Sequence, residues 1–389
     1  MFLTRPATFV SDEEAMRMPR ELIAIRPRTP LIREYDEAPL KATEIRIQTE
    51  LASPKHGTEL VGYRNDPVAS RPYDPEWGAV MPVSEAEALK SFPRKLGNMA
   101  VGVVSETGSD VSRFTVGDRV FGYFPIRETQ TVDESGADLL PEGLSPEAAL
   151  CLDPVVMALA IRDANIRLGD IVAVFGLGAI GLIAIQLAML AGAEQVIAVD
   201  PLANRRELAL RLRATVTLDP TEGDGDSGLA IRKLTGKPTT GAKRQLSPRI
   251  VGGYREEPTS TSQLGVDVAI ETSGSTQALH QAIRATRFGG TIGVVSYYGG
   301  EATGLLLGEE FHINRLQLVS VRTQSLPLRD APGWTLDRMV KLGIDWLTSG
   351  RLKTDGIIDP IVPFAESADA YQMIDERPAE AIKLGIRFP

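Results

Sequence analysis

At 389 residues the chain exceeds the ~250–300 at which one hydrophobic core usually stops growing, so two domains are expected. Apolar content of 43% and charged content of 24% are those of an ordinary globular protein, and a net charge of −9 speaks against a nucleic-acid partner, whose phosphates need a basic surface. The single cysteine, Cys151, excludes an intrachain disulfide and a cysteine-rich zinc knuckle, and fits a reducing, cytoplasmic setting.

The opening run Met1-Phe2-Leu3-Thr4-Arg5-Pro6 lacks the basic and then apolar pattern of a signal peptide. Residues 1–150 read as β-rich. Glu44–Leu51 alternates polar and apolar side chains, the period of a half-buried strand, and Met99–Glu106 is rich in valine. Phe114–Phe121 reads as strand, turn, strand, with Gly117-Asp118 in the turn. Short strands between frequent turns suggest an antiparallel barrel or sandwich.

At Ser145-Pro146-Glu147 the texture changes. A hydroxyl cap, a proline at the first helical position and an acid in the first turn mark a helix start. From there to about Tyr298 strands and helices alternate: Ile171–Phe175, Ile180–Leu190, Gln195–Val199, Arg205–Leu212, Val266–Glu271, Thr276–Arg287 and Thr291–Val295. The strands are continuous apolar runs, as in a parallel sheet covered on both faces, and such alternation builds right-handed β-α-β units. Ile171–Ala193 is apolar enough to span a bilayer, but Gly176, Gly178 and Gly181 interrupt it and Gln186 lies inside it. A buried strand, a tight turn and a buried helix account for the same residues, so no membrane association is expected.

Residues 236–265 combine Gly, Pro, Ser, Thr and basic side chains with little periodicity, and read as an insertion, with a lid or partner-binding loop as the alternative. The basic stretch of Arg232, Lys233, Lys237, Lys243, Arg244, Arg249 and Arg255 falls largely within it and reads as a solvated loop. Further on, Leu336, Met339, Val340, Ile344 and Leu347 carry a helical stripe, and Ala381–Phe388 looks like a closing strand. The pattern leaves open whether this tail joins the first domain.

The informative element is Phe175-Gly176-Leu177-Gly178-Ala179-Ile180-Gly181, which follows one apolar strand, opens a helix, and is followed by a second strand ending at Asp200. Gly176 permits the tight strand-to-helix turn, Gly178 lets the backbone approach a pyrophosphate, and Gly181 lets the helix pack on the strand. The free N–H groups of a helix beginning near Ala179 would receive the pyrophosphate. Asp200, about two dozen residues past Gly176, can accept both adenosine ribose hydroxyls and would repel a 2′-phosphate, which favours NAD(H). Arg205 and Arg206 weaken that preference, since an arginine can accommodate a phosphate. The expected cofactor set is Gly176, Leu177, Gly178, Ala179, Ile180, Gly181, Asp200, Arg205 and Ser273.

With these residues in hand, the chain from about Arg20 to Phe388 resembles the medium-chain dehydrogenase/reductase superfamily. The markers are His56-Gly57-Thr58-Glu59, Leu96-Gly97-Asn98-Met99-Ala100-Val101-Gly102, Val116-Gly117-Asp118-Arg119-Val120 and the glycine fingerprint. Gly57-Thr58-Glu59-Leu60 and Glu309-Glu310-Phe311-His312 look most like the subgroup around bacteriochlorophyllide 2-hydroxyethyl dehydrogenase. The resemblance implies a GroES-like β-barrel catalytic domain over 1–150, completed by about 305–389, and a doubly wound Rossmann domain over 151–304. It also implies an interdomain substrate cleft and a homodimer or homotetramer.

In zinc-dependent members of that family a cysteine stands at the position of His56, a histidine at Asn98, a glutamate at Met99, and a third ligand near Asp153; the structural zinc lobe is missing altogether. Methionine and asparagine are poor zinc ligands, so no metal is expected. His56 as acid or base, Thr58 as a positioning donor and Asp153 as an orienting or basic carboxylate are then the catalytic candidates, with Tyr63 and Glu59 as weaker ones. Val61 stands where a histidine often completes the family's proton relay. His56 could instead be a structural histidine bonded to backbone, and Asp153 an interdomain salt-bridge residue. The expected activity is zinc-independent, NAD(H)-linked hydride transfer between nicotinamide and a secondary alcohol or ketone, on a ring or sugar-like small molecule. An enoyl or quinone reductase and a non-catalytic NAD-binding redox sensor or structural protein are the alternatives.

Overall fold

The computed structural model describes residues 18–66, 71–82, 84, 91–236, 250–251, 254–255 and 264–389. Most of the 236–265 insertion, with Lys237, Lys243, Arg244 and Arg249, lies outside the described residues, as does the opening run Met1–Pro6. Within the insertion the short strands Ile250–Val251 and Tyr254–Arg255 pair antiparallel.

Six strands form a parallel sheet in the order Val216–Leu218, Gln195–Val199, Ile171–Phe175, Val266–Glu271, Thr286–Val294, Gln317–Ser320. In chain order this is 3-2-1-4-5-6, the doubly wound arrangement. Alternate residues of each apolar run face opposite sides. Val172, Val174, Val196 and Ala198 pack under the helix Ala179–Ala191, whereas Ala173, Phe175, Ile197 and Val199 pack with Ile231, Leu279 and Ile283 from the helices on the other face. Among the described residues no helix is long and apolar enough to cross a membrane, and the apolar stretch Ile171–Ala193 is the first strand, the glycine turn and this buried helix.

The first domain is built around Glu44–Ser53, which pairs antiparallel with Met99–Thr107 and with Thr129–Asp133. Its inward residues Ile45 and Ile47 share a second core with Leu22, Val120, Phe124, Leu384 and Ile386. The strand Lys383–Arg387 enters this sheet with Ile386 opposite Ala52, and Ile358–Pro363 lies parallel to it on the far side. A smaller sheet of Thr29–Glu34, Arg20–Arg26 and Arg94–Lys95 completes the barrel. The closing strand thus belongs to the first domain.

The expected division at residue 304 needs a correction. Gln317–Ser320 is the sixth strand of the nucleotide sheet, and Met339 and Leu347 of the helix Leu336–Thr348 lie in the nucleotide-domain core. Gly343 brings that helix so close to Leu152 that a Cβ there would lie 2.9 Å from its Cδ1. The return to the first domain comes only with Ile358–Pro363.

Candidate active site

The sheet order reverses between Ile171–Phe175 and Val266–Glu271, and the crevice beyond the carboxyl ends of these strands is where a doubly wound sheet binds its ligand. A cleft of about 390 Å³ opens there, between the glycine turn on one side and Lys55, His56, Asp153 and Lys383 on the other.

On the nucleotide side, Gly176 has φ +88, and a Cβ on it would lie 2.7 Å from the Ser273 backbone nitrogen, so glycine is required twice over. A Cβ on Gly181 would fall 1.9 Å from the Gly176 carbonyl oxygen. Gly178 is the N-cap of the helix Ala179–Ala191 and provides no side-chain cap, which leaves the first-turn N–H groups at Ala179 and Ile180 open toward the cleft. The Leu177 side chain is buried in the core.

Asp200 is only 3% exposed. Its Oδ2 accepts from the Leu177 N–H at 2.8 Å and its Oδ1 from the Leu202 N–H at 2.9 Å, which fixes the carboxylate at the edge of the cleft. Both nearby arginines are engaged within the protein. Arg205 Nη2 donates to the carbonyls of Pro378 and Ala381 at 2.9 and 2.6 Å, tying the nucleotide domain to the barrel, while its Nη1 stays 3.7 Å from Asp200 and its Nε has no partner among the described residues. Arg206 donates to the Asp200 carbonyl and pairs with Asp219. Arg205 therefore lines the cleft as an interdomain tie, a different role from the cofactor contact expected of it.

Ser273 also lines the cleft, but its hydroxyl is committed to Glu271, which also accepts the Ser273 N–H at 2.7 Å and the Tyr298 hydroxyl at 2.5 Å. Burial and the adjoining carboxylate raise the Tyr298 hydroxyl above its ordinary pKa. The fully buried Glu271 thus holds the turn Thr272–Gly274 against Gly176.

On the barrel side the candidates separate. His56 opens the helix His56–Arg64, and its Nε2 accepts the Leu384 N–H at 3.0 Å, so the ring proton sits on Nδ1. Burial, then the Lys383 charge and then that of Arg205, push its pKa down to about 3. A neutral imidazole whose free-base nitrogen is committed to backbone is a weak base, so the acid/base role expected of His56 is corrected to a structural one. Thr58 is exposed and is not among the cleft residues. At 100° per residue it points roughly 200° away from His56, which removes it as a positioning donor. Glu59 accepts from the Lys55 and Gly97 N–H groups and from the Tyr371 hydroxyl at 2.6 Å. Tyr63 is buried edge-on against Tyr371.

Asp153 does reach the cleft. It lies in the first turn of the helix Leu152–Leu159, with its carboxylate 3.0 Å from the Lys55 ammonium. Lys383, equally buried, donates to the Pro54 carbonyl at 2.7 Å. Its pKa is lowered by burial and by Lys55, against the opposing influence of Cys151, Asp153 and Glu59.

These residues do not fit a zinc ion. Nε2 of His56 is occupied, Asp153 already neutralises a cation, and Met99 is fully buried in the core. Among the described residues no group of three or more His, Cys, Asp or Glu could hold a metal.

Sequence reasoning missed Lys55, Lys383 and Glu271. Two of them left a readable trace: Lys383 is a lone charge inside the apolar run Ala381–Ile386, and Glu271 is an acid closing an apolar strand at the switch point. Lys55 carried no such signal.

The neutral His56 has a consequence for stability. The unfolded histidine takes up a proton near its ordinary pKa of ~6.5 and the folded one only near 3, so the protein loses stability as pH falls through that window. His56→Gln, which keeps an acceptor but does not titrate, is expected to flatten the dependence of the urea midpoint on pH between 6.5 and 3. An unchanged slope would show that the imidazole is protonated in the fold.

A family model described as zinc-binding dehydrogenase matches residues 179–332. D-guloside 3-dehydrogenase of Escherichia coli strain K12 is 38% identical over 377 residues, spanning 95% of this chain and all of that one. The structure of 2R,3R-butanediol dehydrogenase from Bacillus subtilis superposes with a TM-score of 0.66 at 21% identity, covering 95% of this chain and 99% of that one. An NADP-bound structure from Sinorhizobium meliloti 1021, assigned to the zinc-binding dehydrogenases, gives a TM-score of 0.67 at 20% identity, covering 96% and 100%. With the 3-2-1-4-5-6 sheet, the glycine turn and the barrel closed by the chain's final strand, these matches make the chain a member of the medium-chain dehydrogenase/reductase superfamily.

Proposed function

We propose that this protein is an NAD(H)-dependent dehydrogenase that interconverts a secondary alcohol and its ketone on a sugar-like ring without zinc. The observation that carries the cofactor choice is the buried Asp200 carboxylate, fixed at the cleft edge while Arg205 and Arg206 are committed to other partners. A 2′-phosphate would meet that negative charge, and the Arg205 guanidinium beside it is already held by the Pro378 and Ala381 carbonyls. NAD+, when bound, supplies the oxidant: it takes the hydride from the carbinol carbon, while the hydroxyl proton leaves to solvent.

The substrate class rests on two supports. The relative with 38% identity is a D-guloside 3-dehydrogenase, and the outer cleft here is lined by Arg64, Asp66 and Tyr297, polar groups suited to ring hydroxyls. Asp66→Ala is expected to raise KM for a glycoside about tenfold, the loss of roughly one hydrogen bond to a charged group, with NADH affinity unchanged. An unaltered KM would remove Asp66 from substrate recognition.

The test of the whole reading is a pair of fluorescence titrations with NADH and NADPH, followed by NAD+-dependent turnover on secondary alcohols and methyl glycosides. Tighter NADPH binding, or turnover confined to conjugated enones, would favour an enoyl or quinone reductase. NADH binding with no turnover at all would favour a nucleotide sensor.

Self-association is proposed along the edge strand Gln317–Ser320, whose outer backbone has no strand partner among the described residues and which exposes Leu318 and the neighbouring Ile313. A concentration-independent monomer by light scattering would exclude it.

A further inference from the structure

We propose that Lys55, clamped by Asp153, is the group that holds the reacting oxygen and stabilises the charge developing on it. This assignment rests on the dehydrogenase reading above and deepens it at the same site.

The geometry is that of a preorganised donor. Both carboxylate oxygens of Asp153 lie 3.0 Å from the Lys55 Nζ, and the two side chains are 3% and 17% exposed. An ammonium has three N–H donors, so with two directed at Asp153 a third remains, and Lys55 lines the cleft. The backbone is fixed as firmly. The Lys55 N–H donates to Glu59, which is itself held by the Gly97 N–H and the Tyr371 hydroxyl. Asp153 is carried by the first turn of a buried helix. The other cations around the cleft are placed for different work: Arg64 pairs with Asp375, Arg205 bridges the domains, and Lys383 is buried against the Pro54 carbonyl.

In the oxidation direction the carbinol C–H bond breaks and its electron pair goes to the oxidised nicotinamide. The hydroxyl proton passes to water in the cleft, and the O–H bonding pair closes the C=O bond. Negative charge grows on the oxygen along the way, and the Lys55 N–H, already oriented, strengthens its hydrogen bond there. A fixed ammonium in a half-buried cleft thereby does for the oxygen what a Lewis-acidic metal does elsewhere.

The test compares wild type with Lys55→Met, Lys55→Arg and the double variant Lys55→Met/Asp153→Leu. The substrate is the methyl glycoside that the wild type oxidises fastest. Lys55→Met is expected to lower kcat by ~100-fold or more, the scale of losing one oxyanion donor, and to leave the NADH Kd unchanged. Because Lys55→Met strands a buried carboxylate, the double variant serves to restore thermal stability, and it is expected to stay equally inactive. Lys55→Arg keeps the charge and a donor, and is expected to recover part of kcat. Dialysis against 1,10-phenanthroline is expected to leave wild-type turnover intact.

Full kcat in Lys55→Met, or its return in the double variant, would show a structural ion pair and overturn the assignment alone. Stoichiometric zinc whose removal abolishes turnover would overturn it as well. A wild type that binds NADH but oxidises no alcohol would overturn the dehydrogenase reading and this assignment with it.

Discussion

Gly181→Ala is expected to weaken NADH binding by more than tenfold and to destabilise the fold, whereas Gly178→Ala is expected to weaken NADH binding alone. At position 181 a methyl group would sit 1.9 Å from the Gly176 carbonyl oxygen and 2.8 Å from the Thr272 Oγ1. The two obstacles are tied to each other, because the Thr272 hydroxyl is bonded to the Gly176 carbonyl. Relief would require the helix Ala179–Ala191 to lift from the strand Ile171–Phe175, a misfit of the overpacking kind that costs about 1–3 kcal/mol. At position 178 nothing lies within 4 Å of the added carbon, and the backbone is extended, so the folded protein tolerates it. What it would meet is the incoming pyrophosphate. Thermal melts and NADH titrations on the two variants separate these effects. Equal losses of stability, or unimpaired NADH binding by Gly178→Ala, would show that the nucleotide lies elsewhere.

Asp200→Ala is expected to raise the NADH Kd by about 10- to 100-fold, the scale of one or two hydrogen bonds to a carboxylate, and to affect NADPH much less. The asymmetry follows from charge. The substitution removes acceptors for the ribose hydroxyls of NADH, but for NADPH it also removes a repulsion, and it frees Arg205 from its nearest carboxylate. Stability should fall too, since the Leu177 and Leu202 N–H groups lose their acceptor. An unchanged ratio of the two dissociation constants would sink the ribose assignment.

The nucleotide half was legible in the sequence because its signals are local. Ile171–Phe175 is apolar on both faces, Gly176 takes a positive φ in the turn and Gly181 meets its carbonyl within one strand-turn-helix unit, and Asp200 ends the adjacent strand. The boundary at 304 was misplaced because the sixth strand gives no such signal: Gln317-Leu318-Val319-Ser320 is short, half polar and largely exposed. The barrel wall was harder still. His56 looks like an acid or base in one dimension, and only Leu384, 328 residues away, shows where its nitrogen points. Thr58 failed for a matter of phase, since the helix begins at His56 and turns it outward. Lys55 was invisible because its meaning lies in Asp153, 98 residues on and at the start of another helix.

The strand Lys383–Arg387 carries a consequence for how the molecule forms. The Ser53 hydroxyl reaches the Leu384 carbonyl, Lys383 reaches Pro54, and Leu384 reaches His56, across sequence separations of 331, 329 and 328 residues. During synthesis the first sheet therefore waits, one wall missing, while the whole nucleotide domain is made and its near-neighbour strands close. Contacts so distant in sequence are slow to find and pay their loop entropy late. The nucleotide domain is expected to be the early folding unit and a template for the rest, and the wall that bears Lys55 and His56 the last part of the enzyme to take shape.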